Sequence, residues 1–112
     1  MLSIMIFRNK RNRIEIYRCN DKYIIYNGSN IDIADRDSIY ELIIRELVKC
    51  LNKYEQLINR LKLMDAIAGS NIHRLVKILE DRKNMLIILI RRLIDREHIS
   101  RVAICGIIVL QL

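Results

Sequence analysis

Two histidines, three cysteines and a cluster of aspartates are the side chains here that could hold a metal or attack a substrate. His73 and His98 stand far apart, and neither belongs to an HxxxH or CxxC pattern. Zinc sites need ligands clustered at fixed spacing, so these histidines are expected in structural or surface roles. Cys19, Cys50 and Cys105 are odd in number and widely separated. Cys50 lies on a helical seam and Cys105 in an apolar run, as small buried hydrophobes of a reducing compartment do. No serine or cysteine sits in a nucleophile elbow. Gly28, Gly69 and Gly106 stand alone, so no glycine-rich phosphate loop is present.

Carboxylates offer one further possibility. Asp32, Asp35 and Asp37 follow the strands that would carry Glu15 and Tyr26, an arrangement from which a metal-dependent nuclease could be built. The plainer expectation is helix-dipole and cap chemistry for the aspartates and a solvent-facing strand position for Glu15. The chain is therefore read as a non-enzyme, with no cofactor and no metal.

Charge is the more informative chemistry. The 112 residues carry a formal charge of +7. Arg8, Lys10, Arg11, Arg13 and Arg18 oppose Glu15 alone near the N-terminus. A second concentration comprises Arg74, Lys77, Arg82, Lys83, Arg91, Arg92, Arg96 and Arg101. Such clusters are the electrostatic footprint of a polyanionic partner. The expectation is a small nucleic-acid-binding protein, for DNA or RNA. Its phosphate contacts are Arg8, Lys10, Arg11, Arg13 and Arg18 on a basic β-hairpin, with Arg91 and Arg92 on a second helix. Tyr17, Tyr23 and Tyr26 could add stacking faces. The alternative is a protein-interaction module whose helical hairpin docks on another protein.

The elements that must position these residues are legible from periodicity. Tyr40, Ile43, Leu47, Cys50, Tyr54, Leu57, Leu61, Met64 and Ala68 alternate in steps of three and four. That is the seam of one amphipathic helix over Ser38–Ala68, about 46 Å long. Ser38 and Glu41 fit a capping box at its start. Gly69 suits its end, and Ser70 or Asn71 can cap a second, antiparallel helix running to about Glu97. That stripe is interrupted at Glu80–Asn84, where a break is the alternative. Residues 85–90 (MLIILI) are apolar all round, which implies burial on more than one side. Leu86, Leu89, Ile90 and Leu93 are accordingly the expected partner face, and a homodimer would cover the surplus.

Before the helices, LSIMIF, IEIYR, KYIIY and a short IDI segment read as an antiparallel meander of three or four strands, turned at Asn20-Asp21 and Asn27-Gly28. Residues 102–112 read as a terminal apolar strand, buried on both faces, that could join this sheet; a short helix is the other reading. The fold class is α+β. One domain over 1–112 is expected, with a β-meander (1–34), a helical hairpin (37–97) and a terminal strand (101–112). No run of about 18 apolar residues predicts a membrane span, and no secretory signal is evident, so a cytoplasmic location is expected.

Overall fold

Short strands rich in Ile and Tyr, punctuated at Asn20 and Gly28 by residues that tolerate left-handed backbone, dictate a meander. The computed structural model describes residues 3–68 and 71–112, with the backbone alone for residues 65–68 and 71. The meander is β1 (Ile4–Asn9), β2 (Ile14–Cys19), β3 (Lys22–Asn27) and β4 (Asn30–Ala34). Arg13, Asn20 and Gly28, at φ of 54°, 57° and 63°, sit in its three turns. Two helices follow, α1 (Arg36–Ala68) and α2 (Asn71–Ile94), and then β5 (Arg101–Ile104) and β6 (Ile107–Leu110). All six strands form one antiparallel sheet in the order β4-β3-β2-β1-β6-β5.

The C-terminal segment departs from expectation. It is a hairpin and not a single strand. Cys105 and Gly106, at φ of 58° and 72°, occupy both central positions of a two-residue turn, the type I′ pattern that matches strand twist. Only one face of β6 is buried: Ile107 and Val109 point into the core. Val109 pairs with Phe7, which joins this hairpin to β1.

The helix boundaries also move. α1 begins at Arg36, upstream of Ser38. Its cap is Asp35, whose Oδ1 accepts the Ser38 backbone N–H at 2.8 Å. Asp35 and Ser38 are thus cap and third helical residue, three positions earlier than the expected box. Gly69 and Ser70, expected to end one helix and cap the next, lie outside the described residues. α2 runs unbroken through Glu80–Asn84.

The helical pair covers one face of the sheet. Phe7, Ile16 and Val109 from the strands meet Ile39, Tyr40, Ile43 and Leu47 of α1 and Leu86 and Leu93 of α2. Each such side chain contributes about 1.5–3 kcal/mol by burial. Leu86, Leu89, Ile90 and Leu93 are therefore part of this chain's own core, where they are unavailable to a partner. The 85–90 run is buried on one side of α2 only, leaving Met85 and Ile88 exposed. Beyond Tyr54 the helices pack only on each other, through Ile58, Val76 and Leu79. This projection gives the molecule its length, 57 × 30 × 18 Å.

Candidate nucleic-acid interface

The β1–β2 turn (residues 10–13) carries three cations and is held by polar contacts to its neighbours. Asn9 and Asn12 each donate a side-chain N–H to Glu46 Oε2 of α1, at 3.4 and 2.8 Å. Asn9 Oδ1 accepts the Arg11 backbone N–H at 3.1 Å. The Gly28 N–H reaches the Arg13 carbonyl at 3.2 Å, and the Lys10 N–H reaches the Gly106 carbonyl at 3.4 Å. The β1–β2, β3–β4 and β5–β6 turns thus meet at one end of the sheet, over the middle of α1.

A disulfide closes the same corner. Cys50 of α1 is bonded to Cys105 in the β5–β6 turn, with their Cα atoms 6.5 Å apart. The expectation of two buried thiols is corrected here: α1 and the turn approach closely enough for the sulfurs to bond. Cys19 lies outside that pair.

This geometry sets Arg11 beside Lys49 and Lys53 of α1, around one small depression, while Lys10 and Arg13 of the same turn border the depression that holds Arg8 and Tyr26. Two open depressions flank the turn. One, of about 760 Å³, is lined by Arg8, Lys10, Arg13, Tyr26 and Asn27, with the Glu15 carboxylate among them. The other, of about 580 Å³, is lined by Asn12, Lys49, Asn52, Lys53 and Gln56, with the Glu46 carboxylate at its wall. Cationic and amide donors together can hydrogen-bond phosphate oxygens, and none of them requires a particular base. Lys49 sits 3.7 Å from Glu46, and Arg8 sits 3.9 Å from Glu15, so those two charges are partly offset. Lys10, Arg11, Arg13 and Lys53 have no ion pair among the described residues.

The remaining expected contacts lie elsewhere. Arg18 is at the far end of β2, opposite Tyr23. Arg91 and Arg92 occupy the last turn of α2. Arg92 Nη2 donates to the His98 carbonyl at 2.7 Å, which pins the loop after the helix. Next to it, Arg96 stands 3.6 Å from Asp37 and 4.0 Å above the Tyr40 ring. α2 therefore ends beside the start of α1, about 18 Å along that helix from Lys49. Lys49 and Lys53 were the residues sequence reasoning missed. Their i,i+4 spacing on the wet stripe of α1 was the available signal, but only the docking of the turn makes it count.

Of the tyrosines, Tyr26 borders the basic end. Tyr23 packs against the core. The Tyr17 hydroxyl donates to Glu15, and this bond to a carboxylate holds the Tyr17 pKa above its ordinary value. The candidate nuclease carboxylates do not converge: Glu15 faces Arg8 and Tyr17, Asp35 caps α1, and Asp32 lies on the opposite face of the sheet from Glu15. Among the described residues no group of three or more His, Cys, Asp or Glu is placed to hold a metal ion. No helix among them is long and apolar enough to cross a membrane. Comparisons with protein-family models, with curated proteins and with solved structures find no match.

Proposed function

We propose that this chain is a non-enzymatic nucleic-acid-binding protein that grips phosphates at the three-turn end of its sheet. The observation that supports this reading is the seating of the basic β1–β2 turn, with Lys10, Arg11 and Arg13, against the stretch of α1 that carries Lys49 and Lys53. The contacts are to backbone phosphates, so affinity should depend steeply on salt and weakly on base sequence. Arg8 contributes less because it faces Glu15. Arg91 and Arg92 fall outside the site. The reading has the protein act as a homodimer whose two basic ends meet one polyanion.

The test is binding of labelled duplex and single-stranded DNA and RNA. The Lys10→Ser, Arg11→Ser, Arg13→Ser triple variant should lose affinity at least tenfold, at about 0.5–1 kcal/mol per phosphate contact. Arg91→Ser, Arg92→Ser should bind nearly as the parent does. Equal losses in both variants would sink the site.

A second reading, a protein-interaction module, draws on the exposed apolar residues of the projecting hairpin, Leu63 and Met64 on α1 and Leu75 and Ile78 on α2. It predicts that nucleic-acid binding does not saturate at physiological salt. It also predicts that Leu75→Lys, Ile78→Lys abolishes capture of the protein partner.

A further inference from the structure

The outer face of the sheet breaks the usual rule for an antiparallel sheet covered on one side. Such a sheet alternates apolar inward and polar outward. On β4 the alternation is reversed: Asn30, Asp32 and Ala34 share the helix side, while Ile31 and Ile33 face away from it, 65% and 70% exposed. The register sets Ile31 beside Tyr26 and Ile33 beside Ile24, so four large apolar side chains stand together on the face without helices. A one-residue slip would turn them inward, yet Asn27 and Asn30 close a two-residue turn that fixes this register.

The same row continues across the sheet. Tyr26 pairs with Glu15, Glu15 with Arg8, and Arg8 with Ile108. Arg8 and Glu15 therefore stand on the two central strands, with apolar side chains on either side. We propose that this face is a docking surface for a second copy of the chain. At its centre the charge pattern is self-complementary, and Lys22 and Arg101 stand at the margins of the same face. A two-fold axis running along the strands between β1 and β2 sets Glu15 of each copy over Arg8 of the other. It also lays the apolar β3–β4 face on the β6–β5 face of the second copy. Sheets stacked in this way lie about 10 Å apart.

Size agrees with this occupant. Six strands spaced about 4.8 Å apart give a face about 24 Å wide, and strands of this length run about 13–20 Å. Such a face has a footprint of about 300–500 Å², enlarged by the side chains standing on it, which suits an interface at the smaller end of the specific range. The same axis keeps both three-turn ends on one side of the dimer; it covers the depression beside Arg8 and Tyr26 and leaves the Lys49–Lys53 depression of each copy open to a polyanion. The inference deepens the dimer in the proposed function by assigning its surface, and it does not depend on nucleic-acid binding.

Sedimentation equilibrium over a wide concentration range tests it, on the full chain in the oxidised state. The parent and an Ile88→Lys variant on the exposed side of α2 should both be dimers. Ile33→Lys should be monomeric with an unchanged far-UV circular dichroism spectrum. The milder Ile31→Thr, which keeps the strand-compatible branch at Cβ, should weaken the dimer at least tenfold. A dimer that survives both β4 substitutions would overturn this surface and leave the dimer standing. A parent that stays monomeric throughout would overturn the dimer itself.

Discussion

Glu46 is an acid at the centre of a basic corner, and replacing it separates two effects that charge alone would merge. Its buried carboxylate accepts from Asn9 and Asn12 and so anchors the turn that carries Lys10, Arg11 and Arg13. Glu46→Gln removes the charge but keeps an acceptor, so phosphate affinity should hold or rise. Glu46→Ala leaves two amides without their acceptor. It should cost about 1–3 kcal/mol in a denaturant titration and should weaken nucleic-acid binding, although the net charge has become more positive. Equal behaviour of the two variants would show that the turn needs no anchor. Asp35 offers a test by pH. Bonds from Ser38 hold its carboxyl below the ordinary 3.8, so the unfolded chain binds its proton first as pH falls. The stabilisation is complete above that value and is lost as the pH drops through it towards the folded pKa. Asp35→Asn keeps a good cap without the titration. Thermal melts should therefore agree at neutral pH, and the variant should lose less stability than the parent between about pH 5 and pH 2.

At the scale of elements, the amphipathic pattern of α1 was legible, but its phase was not. Tyr40, Ile43, Leu47 and Cys50 are buried as the three-four alternation requires, yet farther on Ile58 is buried while Leu57 and Met64 are exposed. A straight helix turns every 3.6 residues and drifts about 20° per heptad from a 3.5-residue seam, so the buried stripe slips by one position. The strands and their turns could be read because Asn20 and Gly28 mark left-handed backbone. The final hairpin could not, because Cys105 gives no such signal. Nor could the disulfide, whose halves lie 55 residues apart and meet only through the docking of turn on helix. Closing a loop of that length should stabilise the fold by about 4 kcal/mol in the chain-entropy model. Reductant, or Cys50→Ser with Cys105→Ser, should lower the thermal midpoint accordingly; an unchanged midpoint would mean that packing alone holds the corner. α2 supplies a related check. Leu86 is fully buried in the chain's own core, so Leu86→Ala should lose about 2–5 kcal/mol of folding stability. It should do so without a specific change in oligomeric state beyond that loss.

For the whole molecule, the sequence carried the polarisation of charge but not its placement. Lys10, Arg11 and Arg13 could be read as a basic turn, while the contribution of Lys49 and Lys53 depends on a helix passing beneath that turn. Arg91 and Arg92 form an equally basic pair in sequence, yet α2 returns them to the other end of the fold. Only the three-dimensional path separates the two groups. The most direct measurement is the salt dependence of binding to a labelled duplex, with the parent and the Lys10→Ser, Arg11→Ser, Arg13→Ser variant in the same buffers. If five cations per chain meet phosphates, the logarithm of the binding constant should fall with that of salt at a slope of about −4 to −5 per bound chain, and three replacements should reduce it by about 2.7. A parent slope near zero, or a slope that the three replacements leave unchanged, would contradict a phosphate-gripping corner.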